Sequence, residues 1–205
     1  DATRGDDAQA VFHLFVMAVY LLPLFGGPLA DWVLGRYHTI LWLSLVYVAG
    51  HACLAFLEGS TTGFYTGLGL IALGSGGIKP CVSAFVGDQF DQTNKHRAKV
   101  VFDAFYWIIN FGSFFASLLM PIFLRHLGPA IAFGVPGVLM FISTAILWAG
   151  RRQFVMVPPA PPNPHSFLRV SRDAIASGVR GQLFATIAVA TAIGSFLLTP
   201  KFGFV

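Results

Sequence analysis

The sequence predicts an all-α polytopic membrane protein. Of its 205 residues, 56% are hydrophobic and 11% are charged, whereas soluble domains average roughly 45–50% apolar and about 25% charged residues. The charged residues also leave long uncharged stretches, each close to the roughly 20 residues that an apolar helix needs to cross a bilayer. Such stretches occur at residues 8–30, 37–57, 59–78, 104–124, 126–150 and 181–200. The pattern therefore predicts helices that cross a membrane several times.

Successive helices are predicted at residues 8–33, 37–57, 62–87, 98–124 and 127–150. Together they form one bundle domain, residues 1–150, and their glycine pairs are typical of membrane helices that pack closely. A proline-rich run at residues 158–164 cannot continue a helix, so residues 151–180 are predicted to be an extended linker. The apolar residues 181–205 are predicted to form one further helix.

Basic residues indicate the orientation of these helices, because cytoplasmic connections carry an excess of Lys and Arg. The connections after the first, third and fifth helices contain Arg36, Lys95, Arg97, Lys99, Arg151, Arg152, Arg169, Arg172 and Arg180. The opposite face has Arg4, Arg125 and Lys201. The first helix is therefore predicted to run inward from outside the cell, and the linker is predicted to be cytoplasmic.

Several function classes are disfavoured by the same composition. The net charge of +4 does not indicate nucleic-acid binding, because the basic residues lie in short connections and not on a solvated domain. Cys53 and Cys81 fall in apolar stretches without the spacing of a metal site or a disulfide framework. No nucleophile with a base, and no cluster of metal-ligating residues, appears in any predicted helix. Neither an enzyme nor a cofactor is expected.

Lys79 interrupts the apolar third helix, where a lysine costs about 2.5–3.5 kcal/mol at the bilayer centre. It either belongs to a functional site or extends its ammonium to the membrane surface from the end of a shorter helix. Apolar residues continue past it to Val86, so Asp88 is the better candidate for the interface. This favours a functional role for Lys79.

His13 and Tyr20 lie seven residues apart in the first helix, which places them within about 20° of one helix face. Histidine changes charge near physiological pH, so His13 is a candidate proton acceptor. The alternative is a neutral histidine that forms a hydrogen bond between helices. His51, in the second helix, is interpreted as structural.

A polar stripe is predicted on the fourth helix, at Asp103, Tyr106, Asn110 and Ser113. These side chains share one face by their spacing. They either line a polar cavity or join helices by hydrogen bonds. Asp103 lies about one turn past the basic loop and is expected at the membrane interface.

Three motifs carry a family resemblance. They are GGPLADWVLGRYHTI at residues 26–40, GGIKPCVSAFVGDQF at 76–90 and FYWIINFGS at 105–113. In this order they resemble the loop after the second helix, the fourth-helix signature and the fifth-helix signature of the proton-dependent oligopeptide transporter family, a branch of the major facilitator superfamily. Two residues depart from the pattern. Pro28 replaces an aliphatic or aromatic residue, and Trp32 stands where the superfamily often has Arg, which weakens the expectation of the usual gating ion pairs.

The resemblance implies that the chain covers part of the N-terminal six-helix bundle, namely the family's helices 2 to 6. Residues 181–205 would be the lateral helix that bacterial members carry, while the family's first helix and C-terminal half have no counterpart in these residues. The implied function is proton-coupled symport of di- and tripeptides by alternating access in the cell membrane, here a bacterial inner membrane. Its implied partners are peptides, protons, the lipid bilayer and the C-terminal half.

The resemblance also implies roles for individual residues. The peptide cavity would be lined by Tyr20, Lys79, Tyr106 and Asn110. Lys79 would face the peptide carboxylate, and His13 would carry the coupling proton. The gating and structural motif would consist of Asp31, Gly35, Arg36 and Asp88. Two other functions stay open: transport of another small anion, such as nitrate or an organic acid, and a non-transporting membrane scaffold.

Overall fold

The computed structural model describes residues 2–57 and 59–160, together with isolated residues between 172 and 191. Within the two continuous ranges every regular element is helical, which confirms the all-α prediction. The chain divides into two units after Pro159. The helix predicted at 181–205 and most of the linker predicted at 151–180 lie outside the continuous ranges.

The described part of the first unit contains six α-helices. They are α1 (Ala2–Leu21), α2 (Pro23–Leu29), α3 (Arg36–Phe56), α4 (Thr61–Gly87), α5 (Ala98–His126) and α6 (Pro129–Ala149). A π-helical turn, Ala30–Leu34, follows α2, and short 3-10 turns precede α5 and follow α6, at Lys95–Arg97 and Gly150–Arg152. Five segments are long and apolar enough to cross a membrane: Gln9–Leu34, Arg36–Phe56, Thr61–Gly87, Lys95–His126 and Pro129–Arg152.

The first of these segments is interrupted, whereas the later ones each contain one long helix. Pro23 lacks an amide hydrogen, so α1 ends at Leu21 and α2 begins at Pro23, a first-turn position where proline is tolerated. The π-helical turn ends at Gly35, whose φ of 77° lies in the region that favours glycine. The chain turns at this residue, and α3 begins at Arg36.

Small residues determine how α4 packs. On its α3 side, a Cβ atom added to Gly74 would lie 2.8 Å from the carbonyl oxygen of Leu43 and 2.9 Å from the amide nitrogen of Tyr47. On its α2 side, a Cβ atom on Gly26 would lie 2.5 Å from the Cα atom of Gly77. Glycines at such crossings let helix backbones approach closely in a membrane. α4 is the central helix, because it contacts α1, α2 and α3.

The remaining helices, α5 and α6, extend the bundle from α3. The Nδ1 atom of His51 lies 2.8 Å from the carbonyl oxygen of Phe133, which joins α3 to α6. A Cβ atom on Gly137 of α6 would lie 2.7 Å from the Cβ atom of His51, so glycine is needed at this contact as well. α5 packs against α6 and has no buried residue. α5 therefore occupies the edge of the described bundle.

We expect Gly74→Ala to lower the free energy of unfolding by about 1–3 kcal/mol, the usual cost of overpacking. The added methyl group would meet backbone atoms of α3, which cannot rotate away. Gly69→Ala is the matched control, because it lies on the same helix and nothing lies within 4 Å of its Cβ position. Thermal unfolding in detergent compares the two variants. Equal midpoints would contradict the close approach of α3 and α4.

Candidate functional site

Lys79 and Tyr20 meet between α4 and α1. The Nζ atom of Lys79 lies 5.3 Å from the centroid of the Tyr20 ring, within the range of a cation–π contact. Both side chains are exposed, that of Tyr20 by 74%. None of the ion pairs among the described side chains includes Lys79. Within this part of the chain, the ammonium group is therefore held by an aromatic face and is not neutralised by a carboxylate.

The backbone of α4 near Lys79 explains why Tyr20 reaches it. Pro80 follows Lys79 inside the helix and lacks the amide hydrogen that would bond to the Gly76 carbonyl one turn earlier. Gly76 is buried, and a Cβ atom there would collide with Leu22 of the first segment. The absence of a side chain thus brings the first segment alongside α4 close to Lys79.

His13 lies on α1 about two turns before Tyr20 and is exposed. Its ring meets the neighbouring Phe12 ring edge-on, with centroids 5.8 Å apart. Both His13 and Tyr20 belong to the uninterrupted part of the first segment, so their seven-residue spacing keeps them on one side of the helix. His13 is therefore accessible from the side of α1 that carries the Tyr20 ring.

Tyr106 and Asn110 lie one turn apart on α5, and both are exposed. The Nδ2 atom of Asn110 donates to the carbonyl oxygen of Tyr106 at 2.8 Å. Asp103, on the same stripe, accepts from Lys99 at 2.6 Å. Among the described residues, the hydrogen bonds of this stripe are internal to α5. The structure thus brings Tyr20 and Lys79 together but does not join Tyr106 or Asn110 to them by a hydrogen bond.

The four residues of the predicted gating motif come together where α2, α3 and α4 meet. Arg36 donates through Nη1 to Asp88 and through Nε to Asp31, the latter at 3.2 Å. The Asp88 side chain is 13% exposed and that of Asp31 is 53% exposed. Gly35 provides the turn immediately before Arg36. Trp32, in place of the superfamily's arginine, does not prevent these ion pairs.

Sequence reasoning missed Gln89 and the segment that follows α6. The Gln89 side-chain amide exchanges hydrogen bonds in both directions with the backbone of Val155. The Phe154 ring packs edge-on against Phe85, with centroids 5.4 Å apart. The available signals were the place of Gln89 directly after Asp88 and the apolar residues before the proline-rich run. These signals are 66 residues apart, so only the structure shows that they pair.

Known proteins match these helices and motifs. A family model with the description POT family matches residues 37–197. The chain belongs to the POT family. The resemblance inferred from the three motifs is thereby confirmed, and with it the major facilitator type of fold.

Curated relatives of this POT family chain are named as transporters. It is 44% identical over 169 residues to Peptide transporter family 1 of Drosophila melanogaster, an alignment that covers 76% of the chain and 23% of the relative. It is 39% identical over 168 residues to Solute carrier family 15 member 2 of Homo sapiens, covering 75% of the chain and 23% of the relative. The chain therefore spans about a quarter of the length of these relatives.

Solved structures of the POT family share the fold. An auto-inhibited POT family peptide transporter is 55% identical, with a TM-score of 0.79 over 98% of this chain and 40% of that one. The POT family transporter PepTSo is 54% identical, with a TM-score of 0.79 over 98% and 41% of the two chains. POT transporters are integral membrane proteins, so the apolar helices of this chain are membrane helices.

We expect Asp88→Asn to destabilise the protein by about 1.5–3 kcal/mol, the range for a hydrogen bond to a charged group. Asp31→Asn should cost under about 1 kcal/mol, because the half-exposed pair is weakened by water. Chemical unfolding in detergent measures both changes. Asp103→Asn, which breaks the exposed pair with Lys99, is the control and should behave like Asp31→Asn. Equal losses of unfolding free energy in Asp88→Asn and Asp31→Asn would show that burial does not make the Arg36–Asp88 ion pair stronger than the Arg36–Asp31 ion pair.

Proposed function

We propose that the polypeptide containing this chain performs proton-coupled symport of di- and tripeptides by alternating access. Membership of a transporter family supports transport, and it gives no reason to propose an enzymatic activity. The name of the Drosophila melanogaster relative supports a peptide as the solute. A solved structure that is 28% identical is described as peptide transporter POT in complex with alafosfalin. The location that fits such a protein is the cell membrane, here a bacterial inner membrane.

The observation that carries the proposal is the exposed ammonium of Lys79 over the Tyr20 ring. Every di- or tripeptide with a free C-terminus presents one carboxylate, whatever its side chains are. A charge-assisted hydrogen bond from Lys79 would therefore recognise the class without reading the peptide sequence. Tyr106 and Asn110 would add polar groups from the exposed face of α5. The C-terminal half of the transporter would supply the opposite wall, because such sites lie between two repeats.

Coupling to protons is assigned to His13. Histidine is the side chain that changes charge in the physiological pH range, and His13 is exposed on the side of α1 that carries Tyr20. Protonation there would change the electrostatics of the helix that contacts Lys79. The Arg36 ion pairs with Asp31 and Asp88 would act as a gate element at the cytoplasmic end, with Gly35 providing the turn.

A second candidate function is transport of another small anion, such as nitrate or an organic acid. Lys79 would attract any of them, and a solved structure that is 28% identical is described in complex with sulfate. Uptake of labelled dialanine into liposomes, driven by an inward proton gradient, tests the first function, with the polypeptide at its natural length. Nitrate uptake that dialanine does not inhibit would favour the second. Folded protein that takes up neither solute would favour a membrane scaffold.

We expect Lys79→Ala to reduce dialanine uptake by about 10- to 100-fold, which corresponds to the loss of one charge-assisted hydrogen bond. Lys95→Ala, at an exposed lysine in the 3-10 turn before α5, is the control and should leave uptake unchanged. The measurement is initial uptake rate against dialanine concentration. Retained transport with unchanged apparent affinity would refute the role of Lys79.

We expect His13→Gln to abolish uptake driven by a proton gradient while leaving exchange of labelled for unlabelled dialanine measurable. Glutamine keeps hydrogen-bonding capacity but cannot take up a proton in this pH range. His38→Gln is the control, because His38 is also exposed but lies on another helix, in the first turn of α3. Full proton-driven uptake by normally expressed His13→Gln protein would exclude His13 as the coupling residue.

A further inference from the structure

The chain does not leave the bundle at the end of α6. After the 3-10 turn at Gly150–Arg152 it continues without regular structure, and the first unit ends only at Pro159. We call residues 154–159 the strap. Hydrogen bonds from the Gln89 side chain and two packing contacts attach the strap to the start of α3 and the end of α4, next to the ion pairs of Arg36.

Gln89 forms a clamp on the strap. Its Nε2 atom donates to the carbonyl oxygen of Val155 at 3.1 Å, and its Oε1 atom accepts from the Val155 amide at 2.9 Å. The same Nε2 atom also donates to the Phe85 carbonyl oxygen at 3.0 Å. A side-chain amide can do both at once, because it carries an acceptor oxygen beside a donor NH2 group.

An aromatic contact fixes the start of the strap. The Phe154 ring packs edge-on against buried Phe85, which in turn meets the Tyr37 ring with centroids 6.1 Å apart. Phe154 also covers Gly150, where a Cβ atom would lie 3.0 Å from the ring. The strap is thus anchored to the same hydrophobic cluster that holds the ends of α3 and α4 together.

The end of the strap passes beside Gly35, the residue before Arg36. A Cβ atom on Gly35 would lie 3.6 Å from the Val157 carbonyl oxygen and 3.6 Å from the Pro159 Cδ atom. Gly35 directly precedes Arg36, and Gln89 directly follows Asp88. The strap therefore contacts a chain neighbour of each partner of the Arg36–Asp88 pair.

The backbone around Gln89 is ordered on its other side by the following loop. Asn94 donates through Nδ2 to the Gln89 carbonyl oxygen at 3.1 Å. Asp91 accepts from the Thr93 hydroxyl at 2.6 Å and from the Thr93 amide at 2.8 Å. These bonds, that of the Thr93 hydroxyl first, hold the pKa of the Asp91 carboxyl below its ordinary value. Gln89 is thus presented to the strap from an ordered backbone.

We propose that Gln89 is a positioning residue that clamps the strap to the end of α4, so that the strap and the Arg36–Asp88 pair move as one body. The role in movement rests on the proposed transport function, whereas the clamp itself does not. The clamp gives the connection to the second unit a fixed starting point at Pro159. Movement at this end of α4 would then carry the strap with it as far as Pro159.

Hydrogen exchange of the backbone tests the clamp. In the full polypeptide, Gln89→Met should raise the exchange rate of the Val155 amide about tenfold or more, because that amide loses its acceptor. Gln89→Glu keeps an acceptor, but its second carboxylate oxygen would face the Phe85 and Val155 carbonyl oxygens, so this variant should also lose protection. Gln92→Met is the matched control, since Gln92 is exposed in the same loop. Unchanged exchange in Gln89→Met, or an equal rise in Gln92→Met, would overturn the clamp.

Transport kinetics test the role in movement. In Gln89→Met, where the strap is released, the maximal rate of dialanine uptake should change at least about threefold. The apparent affinity should stay within about twofold, since Gln89 lies well away from Lys79. A rise in Val155 exchange without any change in maximal rate would overturn the role in movement. If the unchanged polypeptide transports no dialanine, the proposed function fails, and the exchange experiment still decides whether Gln89 clamps the strap.

Discussion

Close approach between α4 and the first membrane segment is the constraint on which the other features depend. Gly26 meets Gly76 and Gly77 with almost no space between the backbones, which is how helices gain contact energy in lipid. α4 carries Lys79 about two turns before its end and is followed by Asp88. The first segment carries Tyr20 and Asp31. One glycine crossing therefore positions both the cation–π contact and the ion pairs.

Both contacts lie along this interface, and Arg36 of α3 bridges Asp31 and Asp88 at one end of it. Lys79 and Asp88 are separated by about 14 Å along the helix axis at 1.5 Å per residue, and the glycine crossing lies beside the first of them. If α1, α2 and the π-helical turn tilted together against α4, Tyr20 would move relative to Lys79 and Asp31 relative to Arg36 at the same time. The proposed alternating access would use such a connection between the proposed binding site and the proposed gate.

The fold was more predictable than the contacts. Every helix that crosses a bilayer must be long and apolar. The all-α class could therefore be predicted from the long stretches between charged residues. The residues of the gating motif were predicted as a group. The sharing of Arg36 between two carboxylates was not, because it depends on the Gly35 turn and the helix crossing. The pairing of Gln89 with Val155 was not predictable, because it uses backbone groups that every residue except proline has. The pattern of residue types around position 155 therefore contains no signal for it.

The Lys79–Tyr20 contact also has an electrical consequence. A carboxylate arriving at Lys79 has no internal counter-ion to displace within the described part of the chain, because an aromatic ring orients the ammonium without neutralising it. In the proposed role of Lys79, the ammonium of the empty pair carries a positive charge that a bound carboxylate would offset. A membrane potential acts with about 2.3 kcal/mol on each elementary charge that moves through 100 mV. If Lys79 moves through the field during the proposed transport, the voltage would act on the empty pair more strongly than on a pair whose charge is offset by a bound carboxylate.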